Sequence, residues 1–224
     1  MIPLRDDVRT RSAPIAVIAL GVANVAVFLL ALRLTPGDAA EILQEWSLVP
    51  REFLRGAARP ESTPHFVWLT PLTSMFLHGS LLHLAGNLLY LWIFGSRVED
   101  LLGHARFLVF YFACGLAAAV IHVAADPSSY VPAVGASGAI SGLLGAYAVS
   151  YPTGRLRLAW PRVRIPAILF LGLWIAIQVL SGVGSYGRGG AGVAWWAHVG
   201  GFVAGAALAR SMWVRKPTRS RLRI

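Results

Sequence analysis

Four side chains in this 224-residue sequence have the types and spacing for acyl-transfer chemistry. Ser137 stands in Gly135-Ala136-Ser137-Gly138, His198 in Ala197-His198-Val199-Gly200-Gly201, and His83 and Asn87 are four residues apart. A serine hydroxyl becomes a nucleophile when a neighbouring base takes its proton, and imidazole is the commonest such base. The tetrahedral intermediate then needs hydrogen-bond donors for its oxyanion. The Ser137 backbone N–H, the Asn87 amide and the His83 ring are available, and Gly135 and Gly138 leave room for a substrate backbone to approach. Each feature also has a plainer use. A Gly-x-Ser-Gly run in a chain with 23 glycines suits simple helix packing, and His83 and Asn87 suit hydrogen bonds between helices.

The acidic residues narrow the chemistry further. All ten lie outside the long apolar runs, so a complete Ser-His-Asp triad within a membrane is excluded, as is an intramembrane aspartate pair. A proton-coupled transporter places a carboxylate at mid-membrane, and no apolar run carries one. There is no His-Glu-x-x-His zinc motif. His78, His83, His104 and His122 do not gather on one ion, because His104 and His122 belong to opposite ends of the third apolar segment. The single cysteine, Cys114, lies in an apolar run and reads as packing; it forms no intramolecular disulfide and no CxxC site. No cofactor and no metal are expected.

Groups of this kind have to be carried by membrane helices. Hydrophobic residues make up 56% of the chain and charged residues 13%, with a mean hydropathy of +0.62; a soluble domain of this size needs more charge to cover its surface. The fold class expected is all-α, a polytopic membrane protein with six spans at about 14–32, 79–95, 105–124, 137–151, 165–182 and 194–213. The net charge of +10 is spread between the apolar runs rather than gathered in one patch, so lipid and not nucleic acid is the expected partner. With the N-terminus inside, fifteen Lys and Arg fall on the inner side and five on the outer, which puts both termini in the cytoplasm. The domains expected are a cytoplasmic segment 1–13, a helical domain 14–213 with an outer loop 33–78, and a basic cytoplasmic tail 214–224. That outer loop is too long for a plain connector. Its aromatics, Trp46, Phe53, Phe66 and Trp68, suit the outer leaflet interface.

In this orientation the second, fourth and sixth spans all run from outside to inside. His83 and Asn87, on one face of the second, then lie at the same depth as Ser137, which opens the fourth, and His198, one turn into the sixth. Residues 137–151 extend only about 22 Å as a helix, so Ser137 starts below the outer surface and needs a water-filled cavity enclosed by protein. Gly138-x-x-x-Gly142 and Ser141-x-x-x-Gly145 on the fourth span, with Ala197, Gly201, Gly205 and Ala209 on the sixth, form small-residue stripes. Such stripes allow two membrane helices to approach closely.

The runs HGSLLHLAGNLLYLWIFG (78–95), GASG (135–138) and AHVGG (197–201) resemble the rhomboid intramembrane proteases in order, helix placement and orientation, over about residues 14–213. Gly95, Glu99 and Gly103 resemble the family's turn after the second helix. The resemblance implies a minimal, bacterial-type six-helix protease in the plasma membrane that cuts single-span membrane proteins near the outer end of an easily unwound helix. It implies Ser137 as nucleophile, His198 as base, and His83, Asn87 and Gly135 around the oxyanion. Two departures stand out. Trp68-Leu69 replaces the Trp-Arg pair of many members, and Ser141 stands where some members place an aromatic against the catalytic histidine, so packing or water is left to orient His198. An inactive relative that binds membrane clients is the main alternative, and a small-solute transporter a weaker one.

Overall fold

The computed structural model describes residues 3–56, 67–159, 162–185 and 193–213. Phe66, the Gly-rich stretch 186–192 and the basic tail 214–224 lie outside them. The helices are α1 (Ile15–Ala31), α2 (Pro36–Trp46), α3 (Pro50–Leu54), α4 (Thr70–Thr73), α5 (Leu81–Tyr90), α6 (Ser96–Leu102), α7 (His104–Ala125), α8 (Ser137–Ser150), α9 (Ala167–Ser185) and α10 (Trp195–Met212). A π-helical turn, Leu91–Gly95, joins α5 to α6 without a break. The second predicted span therefore runs on past residue 95 to Leu102.

The architecture is almost entirely α-helical and is that of a multi-pass membrane protein, with two corrections to the sequence reading. A helix runs through each of the six predicted segments, but among the described residues only α7 and α9 are long and apolar enough by themselves to cross a membrane. A third span is reached if Val67–Phe76 and Leu81–Leu102, bent by 81°, count as one. The shortfall has physical causes. The apolar helices α1 and α8 have 17 and 14 residues, and α10 is diluted by glycines, His198 and Arg210.

The second correction is a small sheet of order β1-β2-β3, made of Pro3–Asp6, Arg155–Leu158 and Arg164–Pro166, all antiparallel. Its second strand alternates at the period of a pleat: Leu156 and Leu158 turn inward and are buried, while Arg155 is exposed. The sheet ties the N-terminal segment to the α8–α9 connection. Asp6 fastens it, accepting hydrogen bonds from Arg97 and from the Tyr147 hydroxyl at 2.9 Å. Burial still holds the Asp6 carboxyl above its ordinary range, against the pull of the Arg97 guanidinium.

The outer segment is not a plain loop. Its described residues fold into α2, α3, α4 and the 3-10 turns Val67–Leu69 and Ser74–Phe76, with an N-cap at Thr35, whose hydroxyl accepts from the Asp38 amide. Trp68 is exposed and meets Phe53 edge to face, with ring centroids 5.2 Å apart.

At the other side, two carboxylates hold the start of α1. Pro14, at the N-cap, offers no side-chain acceptor, and the first amides of a helix have no intrahelical partner. Buried Glu99 supplies it: its two oxygens accept from the Ala16 and Val17 amides at 2.9 Å each. Asp100 accepts from the Arg11 and Ser12 amides and the Ser12 hydroxyl. Glu99→Ala leaves both amides buried without an acceptor, and each such donor costs about 1–3 kcal/mol. We expect the thermal midpoint in detergent to fall by roughly 5–10 °C. An unchanged midpoint would show that the cap contributes nothing.

The centre of the bundle is α8, buried without interruption from Ala139 to Ala148. It packs most extensively on α10 and then on α7. The glycine stripes make this possible. A β-carbon at Gly201 would overlap the Gly138 carbonyl, one at Gly205 the Gly142 carbonyl, and one at Gly145 the Phe202 carbonyl. Cys114 is buried and fills the space opposite Gly142.

Candidate active site

The first residue of α8 and the fourth of α10 meet across this close helix pair. Ser137 Oγ lies 2.8 Å from His198 Nε2, within the range a serine–histidine proton transfer requires. The approach follows from the backbone contact at Gly138 and Gly201, one residue after Ser137 and three after His198. Both side chains are half-buried.

The start of α8 is shaped by Gly135, whose φ of 112° lies in the left-handed region that other residues avoid. Its amide donates to the Ser74 carbonyl at 2.8 Å. A β-carbon there would come within 2.7 Å of the His83 ring and 3.4 Å of Asn87 Nδ2. His83, Asn87 and Gly135 are thus brought to one spot, two residues before Ser137. The Ser80 hydroxyl caps α5 by accepting from the His83 amide at 3.1 Å, which sets the helix start that carries His83. Asn87 Nδ2 is buried and has no hydrogen-bond partner among the described residues. A buried amide donor in that condition is costly, and it faces the place where an incoming oxygen can accept from it. The α8 amides nearby are first-turn donors with no intrahelical acceptor, and the helix dipole makes that end positive.

Beside Ser137 is a cavity of about 40 Å³, lined by Ser74, Gly135, Ser137, Gly138, His122 and Ala197 among others. That volume holds a water molecule. The site therefore combines a hydroxyl held on an imidazole, a group of donors and room for water, which is the equipment of hydrolytic acyl transfer.

Three residues that sequence reasoning missed complete the surroundings of His198. Gln178 Oε1 lies 2.7 Å from His198 Nδ1. The Trp174 ring lies along the imidazole at 5.9 Å and 39°, while Trp195 meets it edge-on at 6.4 Å. The position four after the serine is occupied differently: the Ser141 hydroxyl donates to the Ser137 carbonyl at 2.6 Å. The imidazole is thus held from α9 rather than from α8. A signal was present, since Gln178 is the one carboxamide in α9 and follows Trp174 by a helical turn.

A family model described as the Rhomboid domain matches residues 65–215. The chain is 35% identical over 144 residues, 63% of its length, to the rhomboid protease GluP of Bacillus subtilis, 26% of which is covered. It is 36% identical over 89 residues to the human presenilin-associated rhomboid-like protein, mitochondrial, covering 39% of this chain and 24% of that one. With rhomboid-like protease 3 of Toxoplasma gondii it shares 32% identity over 155 residues, 69% of this chain and 56% of the relative. The match thus spans about a quarter of the first two of these relatives.

Proposed function

This chain belongs to the rhomboid family, and on that premise we propose that it is an intramembrane serine endopeptidase working through a Ser137–His198 dyad. The single observation that carries the reading is the 2.8 Å contact between Ser137 Oγ and His198 Nε2. In the proposed mechanism Ser137 Oγ attacks the scissile carbonyl while its proton passes to His198 Nε2. The oxyanion takes hydrogen bonds from the Ser137 amide, Asn87 Nδ2 and His83, with Gly135 leaving space for the substrate backbone. His198 returns the proton to the leaving amine, which departs and leaves an acyl-enzyme on Ser137. Water then enters and attacks the acyl carbonyl as His198 takes its proton, and His198 passes that proton to Ser137 Oγ as the acid product leaves.

The proposed substrates are single-span membrane proteins, cut where their helix unwinds near the outer surface. The proposed setting is the bacterial plasma membrane, with both termini cytoplasmic and six helices forming the minimal bundle. No nucleic acid, metal or cofactor enters this reading. The test is to reconstitute the purified chain in liposomes with a panel of single-span reporter proteins and read the fragments by mass spectrometry. Cleavage in or beside the spans supports the proposal. Intact reporters that nonetheless co-purify with the chain would instead support a relative that binds membrane clients without cutting them.

The oxyanion donors yield a separate expectation. Asn87→Ala should lower kcat by about 10²–10³-fold with KM nearly unchanged, because such a donor acts mainly in the transition state. A rise in KM alone would place Asn87 in substrate binding instead.

A further inference from the structure

Gln178 is the one buried polar side chain of α9, which makes it the residue to explain. It is 6% exposed, whereas Ile177, Val179 and Leu180 beside it are all exposed on the outer face of the helix. A glutamine turned into the bundle loses its water and needs partners there. It finds two: the Trp174 carbonyl, 3.4 Å from its amide nitrogen, and His198 Nδ1, 2.7 Å from its amide oxygen.

We infer that Gln178 is a neutral positioning residue that holds His198 in the tautomer protonated on Nδ1, so that Nε2 presents its lone pair to Ser137. The inference rests on the proposed Ser137–His198 chemistry and extends it to a third member. A neutral imidazole has one N–H and one lone pair, on different nitrogens. An amide oxygen can only accept, so Nδ1 must be the donor in this contact, and Nε2 is left as the acceptor for the Ser137 hydroxyl. The opposite amide orientation would turn the NH₂ group toward Nδ1. That would put the ring proton on Nε2, where it would point at the serine and prevent it from giving up its own. The Trp174 carbonyl, 3.4 Å from the amide nitrogen, favours the first orientation, because in the other it would face the amide oxygen, and two acceptors cannot bond each other.

Glutamine suits the location better than a carboxylate. A buried charge at membrane depth carries a large desolvation cost, and all ten acidic residues of the chain lie elsewhere. An amide fixes the tautomer and the ring plane without that cost, and Trp174 and Trp195 restrict the remaining rotation of the ring. The aromatic absent at position 141 is thereby replaced by a pair one helix away, Trp174 and Gln178.

The test is the kinetics of covalent labelling of Ser137 by a fluorophosphonate probe in detergent, which separates the inactivation rate from probe affinity. Wild type is compared with Gln178→Leu and Gln178→Glu across pH, each variant checked for its thermal midpoint. Gln178→Leu should lower the maximal inactivation rate by about 10–100-fold with probe affinity unchanged. Gln178→Glu keeps an acceptor for Nδ1, so it should recover most of that rate. Its carboxylate also favours the protonated imidazole, so the acidic limb of its pH–rate profile should move to higher pH. A packing role alone would move neither the rate at constant affinity nor the pH profile. The inference is overturned if Gln178→Leu labels at the wild-type rate, or if both variants lose rate equally with an unshifted profile. If wild type itself fails to label, the serine-protease reading falls, and this inference falls with it.

Discussion

Alanine in place of Ser137 or of His198 should each remove proteolysis altogether, with kcat falling by roughly 10⁶-fold if the pair behaves as the nucleophile and base of soluble serine proteases do. The two losses should be similar, and the double variant no worse than either single one, because the residues act as a unit joined by one 2.8 Å contact. Neither change should disturb insertion or folding. Both side chains are half-buried at the mouth of the helix pair, and the α8–α10 interface is made by glycine and backbone rather than by them. The measurement is cleavage of a single-span reporter by purified, normally folding variants. Wild-type activity in either one would eliminate that residue from the mechanism.

The next largest effect is expected at a residue with no side chain of its own. Gly201→Val places a branched side chain where even a single methyl group would overlap the Gly138 carbonyl. The two helices have to separate, and the carbonyl that moves belongs to the residue after Ser137. A displacement of about 1 Å at a reacting pair costs on the order of 10²-fold in rate, so Gly201→Val should lose at least that much activity. It should also unfold at a lower temperature, since overpacking a tight interface costs about 1–3 kcal/mol. Val199→Ala, on the same helix and outside the glycine stripe, is the control. Wild-type turnover and midpoint in Gly201→Val would mean that the close approach of α8 and α10 does not set the site.

Much of this site was legible before any coordinates, and the reason is chemical. Ser137, His198, His83, Asn87 and Gly135 each have a plainer use alone, and it is their order and orientation together that propose their meeting. The structure brings Ser137 to His198, and His83 and Asn87 to Gly135. The glycine stripes were legible for a similar reason, because spacing of four residues means one helix face.

What was not legible depends on direction rather than composition. Gln178 is one polar residue in a run of aliphatics, and nothing in its neighbours says whether it points to lipid or to a histidine. The sheet was missed because Pro3–Asp6 and Arg164–Pro166 are four and three residues long, too short for alternation to be recognised. The arginines of the second strand were read only as charges that set topology. The π-helical turn at Leu91–Gly95 leaves no mark on the pattern of apolar residues, and the carboxylate cap from Glu99 to α1 joins residues 83 apart in sequence. The six spans were counted from apolar runs. The shortness of α8 becomes intelligible once it is seen to be enclosed by other helices.

The most direct test of the central claim is fluorophosphonate labelling of the detergent-solubilised chain, with wild type beside Ser137→Ala and His198→Ala, because it needs no knowledge of the substrate. The account predicts a covalent adduct on wild type, mapped to Ser137, that is absent from both variants. Folded wild-type protein that takes up no probe, or a His198→Ala variant that labels as fast as wild type, would contradict it.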